Sequence, residues 1–324
     1  MRHLISLFDI SQQELHTILS LSEQVKTLLE AGRRPPWLQR RVLAMLFEKP
    51  SLRTRVSFEA GISQLGGTAL FLGDEVGWQS REATADFVRV LAQYVDYVVC
   101  RAKAHDSVLE LARHNAVPII NGLTDLSHPC QALADLLTMR QACGPLEGRQ
   151  VTFVGDGNNV ARSLALGCAM VGMRFRLLGP RDYFMPQATI DEILKRFPNA
   201  DIDQGEEPRV ELADADFVYT DVWTSMGQEA EMKLRQAVFR PFQLNEQLMQ
   251  HAHAHCKVLH CLPARRGEEI TDGVIDGAAS LIVQQAGNRM HAQKGLLIWM
   301  ALQHDKLSAS DLEREGIDWP LGIS

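Results

Sequence analysis

No two of the six cysteines stand at Cys-x-x-Cys spacing, which excludes the thiol pairs of a zinc ribbon or a thioredoxin-like site. Scattered free thiols suit a reducing compartment. No apolar run approaches the length of a membrane span. The first residues lack the basic-then-apolar pattern of a secretory leader. Positive charge is in short supply: 33 Lys and Arg face 40 Asp and Glu, a net charge of -7. That balance argues against a general nucleic-acid or membrane-surface partner. Repeats, low-complexity tracts and long linkers are missing as well. The expectation is a soluble, cytoplasmic protein. Its 324 residues, 46% hydrophobic and 23% charged, suit two ordinary domains that each bury a core.

What is there alternates between strand and helix. Ser11 to Glu14 has the form of a capping box, and the apolar stripe behind it runs to Gly32. RRPPWLQRR reads as a solvated, proline-broken connector. VLAMLF (42–47) reads as a buried parallel strand. The spacing predicts a helix from about Ser51 that turns Val56, Ile62 and Leu65 inward and stops at Gly66-Gly67. Strand TALFL, a loop at 73–81, a helix across TADFVRVLAQY, strand YVVC and strand VPIINGL follow. A helix then opens at Pro129, whose missing N–H does no harm at the first helical position. GPLEGRQ (144–150) is a turn-rich joint. Beyond it come strand VTFVGD, a helix, strand RFRLLGP, strands DFVYTDV and KVLHCLP, and a last long helix over about 289–303. Alternation of this kind predicts an α/β protein with two doubly wound parallel-sheet domains linked by crossing helices. The expected division is 1–143, joined by a C-terminal helical segment 289–324, and 144–288.

Several stretches carry chemistry. FEKPSLRTRVSFE (47–59) crowds Lys49, Arg53 and Arg55 among Ser51, Thr54 and Ser57 at the mouth of a helix. A helix N-terminus offers unpaired N–H groups and about half a positive charge, so it suits an anion. Arg53 can grip a phosphate with two parallel hydrogen bonds. The alternative is an arginine-rich first turn that pairs elsewhere. Ser51, Arg101 and His128 each lie at or just after a strand end, where ligands of open parallel sheets sit. His128 and Gln131 are three apart at a helix start and can face one spot. Taken singly, His128 is a capping histidine.

Other motifs leave choices open. VGDGNNV (154–160) has the glycine spacing of a dinucleotide turn, but the next strand ends in Gly179-Pro180 with no acid for the ribose, and Asp182 is a poor substitute. The glycines then serve a tight strand–helix turn, and Asn158 and Asn159 are available to a polar ligand. DVWTSMGQE (221–229) opens on a strand-end Asp221. HCLPARRGEE (260–269) places Cys261 at another strand end, as a nucleophile or as a buried thiol, with His260 the local base. HAHAHC (251–256) could put His251 and His255 on one helix face, yet no acidic or cysteine partner stands at zinc spacing, and a solvated helix end is the plainer reading.

SLRT, HPCQ, DGNN, DVWTSMGQE and HCLPA in this order resemble the carbamoyltransferase family, and within it the ornithine branch, along nearly the whole chain. The resemblance implies a homotrimer, carbamoyl phosphate held by the first domain and an amino-acid amine held by the second; such a transfer needs no metal or organic cofactor, because phosphate is already a good leaving group. It implies phosphate contacts from Ser51, Leu52 N–H, Arg53 and Thr54. Arg101, His128 and Gln131 would meet the carbamoyl group and its phosphate bridge, and Arg289 would add a contact from the last helix. Asn159, Asp221, Ser225 and Met226 would hold ornithine, and Cys261 and Leu262 would line both ligands. The reaction implied is carbamoyl transfer to ornithine, giving citrulline. N-acetylornithine or putrescine as acceptor, or a nicotinamide-dependent oxidoreductase, are the alternatives. The chain departs from the family pattern at Leu52, where threonine is usual. It departs again at Gly287, where glutamate is usual, and in the loop GDEVGWQSRE. In the family this loop reaches a neighbouring subunit's site, which makes Gln79 the candidate for that contact.

Overall fold

The computed structural model describes residues 1–224 and 229–317. Two compact units divide the chain: residues 1–137 with 287–324, and residues 138–286.

The first unit holds α1 (Gln12–Glu30), β1 (Val42–Phe47), α2 (Leu52–Gln64), β2 (Thr68–Leu72), α3 (Thr84–Leu91), β3 (Tyr97–Arg101), α4 (His105–Arg113), β4 (Ile119–Leu123) and the start of α5 (Pro129–Cys143). Ser11 caps α1 reciprocally with Glu14, as the capping-box pattern predicts. The strands form one parallel sheet in the order β2-β1-β3-β4. Its core gathers Ala44, Leu46, Val98 and Cys100 from the strands with Val88, Val108 and Leu111 from the helices. Each buried aliphatic side chain of this kind contributes about 1.5–3 kcal/mol. The strand order reverses between β1 and β3, which opens a crevice at their carboxyl ends. Phe47 is the register partner of Arg101 there, so the turn that leads to Ser51 leaves β1 level with Arg101.

The second unit contains the rest of α5, then β5 (Gln150–Val154), α6 (Asn159–Val171), β6 (Arg174–Leu178), α7 (Gln187–Arg196), β7 (Ile202–Gly205) and α8 (Pro208–Glu211). β8 (Phe217–Thr220), α9 (Met232–Phe239), α10 (Glu246–Met249), β9 (Lys257–His260), α11 (Asp272–Ile275) and the start of α12 (Ile282–Gln303) follow; α13 (Ala309–Glu313) belongs to the first unit. The second sheet is parallel throughout, in the order β7-β6-β5-β8-β9. Val154, Leu178, Val218, Val258, Leu244 and Ile270 share its core. Here the order reverses between β5 and β8. Val154 pairs with Thr220, and Thr220 with His260, so the next residue on each strand, Gly155, Asp221 and Cys261, stands at one edge.

Several local expectations need correction. Val56 is exposed, and the buried face of α2 is Phe58, Ile62 and Leu65. Those three recur at i, i+4 and i+7, which excludes Val56 from the stripe. The predicted helix over TADFVRVLAQY stops at Leu91. The last long helix starts at Ile282, seven residues before Arg289, so Arg289 projects from its interior rather than its mouth. β7 and α7 were not read from sequence; β7 is an edge strand of four residues, too short to show a period. His251 to His255 lie in turns beyond α10, so His251 and His255 share no helix face. His253 and His255 stack on each other instead, with ring centroids 5.1 Å apart.

Candidate active site

In the first unit, the site grows from the mouth of α2. Ser51 is the N-cap: its hydroxyl accepts the Thr54 N–H at 3.4 Å and donates to Thr54 Oγ1 at 3.0 Å. Thr54 is fully buried, and its hydroxyl accepts from Arg289 Nη2 at 2.7 Å. A cation on α12 thus meets the first turn of α2. Leu52 opens the helix, where its N–H has no intrahelical acceptor, and its side chain is 75% exposed.

Arg101 is buried at the end of β3, and His128 is buried in the turn between β4 and α5, directly before Pro129. Burial, with the positive charges of Arg289 and Arg53 acting the same way, lowers the Arg101 guanidinium to about 10. Burial drives the His128 imidazole well below its ordinary range, again assisted by Arg289 and Arg101. His128 is therefore neutral at physiological pH. Arg101 and Arg289 set positive charge beside it, and Arg53 adds its charge beside Arg101. Arg101 Nε is buried with no partner among the described residues. Like charges packed this way repel, and a doubly charged anion would relieve them. Gln131 is buried one turn along α5, donating to Asp135 Oδ1 at 2.8 Å. Its carbonyl oxygen has no partner among the described residues. A Cβ at Gly287 would meet nothing within 4 Å, so packing does not demand glycine there. Gln79, in a left-handed conformation at φ 64°, is exposed and borders an open cavity of about 570 Å³ with Glu82, Thr84 and Asp106.

In the second unit, Asp221 is the hub. Its Oδ1 accepts the Val222 N–H at 2.8 Å and the Cys261 thiol at 3.0 Å. Its Oδ2 accepts the Asn158 amide at 2.9 Å. Asn158 also caps α6, accepting from Val160 and Ala161 N–H. Asn159, the neighbour predicted as a ligand contact, is the first residue of α6 and half-buried. Leu262 adopts φ 58°, the left-handed region that branched side chains disfavour. Ser225 and Met226 lie outside the described residues. Ligand atoms of Asp221, His260 and Cys261 lie within 4.8 Å of one another, a donor set able to take a metal ion. Both nitrogens of His260 are engaged elsewhere, by Leu262 N–H and by Glu269.

The glycine-rich turn is packed against protein. A Cβ on Gly157 would come within 2.4 Å of the Met185 nitrogen, and one on Gly179 within 2.4 Å of the Gly155 carbonyl oxygen. Close backbone approach accounts for these glycines without a dinucleotide.

Three residues were not found by reading the sequence: Arg235, Asn158 as the partner of Asp221, and Glu269. Arg235 is buried on α9, bonds the Trp223 carbonyl and the Asp156 carboxylate, and lies over the rings of Tyr183 and Phe239. Burial raises the Asp156 carboxyl, and Arg235 opposes that rise. Only Asn158 left a signal, as a helix N-cap residue in front of an apolar run.

A family profile described as aspartate/ornithine carbamoyltransferase, carbamoyl-P binding domain, matches residues 2–141, and its companion, the Asp/Orn binding domain, matches residues 147–300. The chain belongs to the aspartate/ornithine carbamoyltransferase family. Among family members, the ornithine carbamoyltransferase of Anoxybacillus flavithermus is 50% identical over 298 residues, covering 91% of this chain and 95% of the relative. That of Methanopyrus kandleri is 45% identical over 299 residues, covering 91% and 96%. The solved ornithine carbamoyltransferase of Pyrococcus furiosus superposes with a TM-score of 0.88 at 43% identity, covering 91% of this chain and 96% of that one.

Proposed function

We propose that this protein transfers the carbamoyl group of carbamoyl phosphate to the side-chain amine of L-ornithine, releasing L-citrulline and phosphate. The observation that carries this reading is the clustering of Arg101 with Arg53 and Arg289, with Arg101 and Arg289 beside the buried His128 and Arg289 bonded to Thr54 in the first turn of α2. Three cations suit the dianion of an acyl phosphate, and a neutral imidazole can hydrogen-bond a carbonyl without adding charge. Ser51, the Leu52 N–H, Arg53 and Thr54 hold the phosphate in this reading. Arg101, His128 and Gln131 hold the carbamoyl group, and Arg289 joins both sets. In the second unit, Asp221, Asn159 and Cys261 take the amino acid, with Ser225, Met226 and Leu262 as further contacts.

A lysine-like amine has a pKa near ~10.4, so about one in a thousand is neutral near pH 7.4, a deficit of roughly 4 kcal/mol. Asp221, with its thiol and amide partners, binds and orients that amine. The amine nitrogen attacks the carbonyl carbon, the C–O bond to phosphate breaks with its electron pair on the phosphate, and the released proton leaves with it. Arg101, His128 and Thr54 stabilise the oxyanion formed on the way; losing one such donor typically costs about 10²- to 10³-fold in rate. Arg53 and the N–H groups of α2 take up charge on the departing phosphate. No metal or organic cofactor is required, because phosphate is already a good leaving group. Family membership favours a homotrimer, with Gln79 reaching a neighbouring copy, and a cytoplasmic enzyme. Residues 1–143 with 289–324 form the carbamoyl-phosphate domain in this reading, and 144–288 the ornithine domain.

The test is colorimetric citrulline formation with ornithine, N-acetylornithine and putrescine as acceptors, run beside a calorimetric titration with NAD. Turnover with ornithine alone is expected. Turnover with another amine, or tight NAD binding without carbamoyl transfer, would reject the assignment.

A further inference from the structure

The loop after β9 is closed at its base by two buried groups that the proposed chemistry does not use. His260 and Glu269 are 1% and 0% exposed, and Nε2 of one lies 3.0 Å from Oε1 of the other. The second imidazole nitrogen, Nδ1, accepts the Leu262 N–H at 2.9 Å. An amide N–H only donates, so Nδ1 carries no proton, and the ring proton sits on Nε2, donated to Glu269. Glu269 Oε1 also accepts the Arg265 N–H at 2.6 Å, while Oε2 is buried with no partner among the described residues.

A buried carboxylate with one oxygen left unpaired is destabilising, and apolar side chains of similar volume would fill the space at lower cost. Core filling therefore does not explain the pair. Fixing one tautomer does. The bond that this tautomer permits pins Leu262 in the left-handed region, a conformation that side chains other than glycine disfavour. On the other side of that peptide, Cys261 bonds Asp221.

We propose that His260 is a positioning residue: locked in its Nε2–H tautomer by Glu269, it fixes the Leu262 peptide and so the placement of Cys261 against Asp221. The inference rests on the reading that Asp221 and Cys261 hold the amine.

Asparagine sets an oxygen near the place of Nδ1, whereas glutamine sets its amide near Nε2. In the full-length protein, H260N is expected to stay within about threefold of wild-type kcat/KM for ornithine, while H260Q loses on the order of ten- to a hundredfold. KM for carbamoyl phosphate is expected to be unchanged in both. Alkylation of Cys261 by iodoacetamide, followed by peptide mass spectrometry, is expected to speed up in H260Q and to keep the wild-type rate in H260N. Equal behaviour of the two variants in both readouts, or a wild-type H260Q, overturns the proposal. Should H260Q fail to fold, E269Q and E269L give the same contrast: the glutamine variant keeps an acceptor and slow alkylation, and the leucine variant alkylates faster. An E269L protein with wild-type alkylation counts against the idea. If the wild type forms no citrulline, the activity reading has failed separately, and the alkylation order still decides the positioning role.

Discussion

Arg101 and Asp221 divide the proposed labour, and each makes a distinct expectation. Arg101→Ala is expected to lower kcat about 10²- to 10³-fold, because it removes an oxyanion donor whose charge is only weakly solvated. Asp221→Ala is expected to raise KM for ornithine while leaving carbamoyl phosphate binding, followed by calorimetry, close to wild type. Equal damage to both ligands would break that division. His128 is held neutral by burial and two arginines, so it contributes no titration near neutrality. Activity at limiting ornithine is therefore expected to climb from about pH 6.5 to about pH 8.5 with the amine's neutral fraction, and a flat profile would contradict attack by the neutral amine. The places of Arg101 and Asp221 in the fold were legible because each sits where a strand pattern ends. Asn158 bonding Asp221 was not, since 63 positions separate the partners and only the register of β5 with β8 brings them together. Glu269 escaped notice for a related reason: nothing in a charged loop distinguishes the acid that is buried from its exposed neighbours.

Helix contacts were legible where period and caps agree, as in α1, and failed where one face had to be chosen. Val56 is apolar yet points outward, since the α2 stripe follows Phe58. The contact of α12 with α1 shows a constraint that pattern reading does not reveal. A Cβ on Gly295 would stand 2.2 Å from the Ser22 hydroxyl and 2.7 Å from the Ile18 carbonyl oxygen. These are main-chain and short side-chain atoms with little freedom to retreat. Gly295→Ala is expected to destabilise the protein by about 1–3 kcal/mol despite the better helix propensity of alanine. Urea unfolding measures it, and an unchanged midpoint would mean that the two helices can separate without cost.

Across the whole molecule, the α/β class and the two parallel sheets followed from strand–helix alternation, because buried parallel strands leave short apolar runs between amphipathic helices; the strand orders, and so the reversal points, did not. The short edge strand β7 did not follow. A property of the sum is its pH response. Burial lowers His3, His105, His128, His291 and His304, with His291 at about 4. Below about pH 6.5 the unfolded chain takes up protons that these folded histidines refuse, so stability falls as pH drops from there toward the folded values. The melting temperature is expected to decline between about pH 7 and about pH 5, and His291→Gln to reduce the decline. The arginine cluster has a further effect. In the proposed reading it is a cradle for a phosphoryl group, and such a cradle does not distinguish the spent leaving group from the fresh donor. Inorganic phosphate is thus expected to compete with carbamoyl phosphate and to protect the resting enzyme against heat, by about 2.7 kcal/mol at a hundred times its Kd. Accumulating product would then act as a brake on turnover that needs no second binding site.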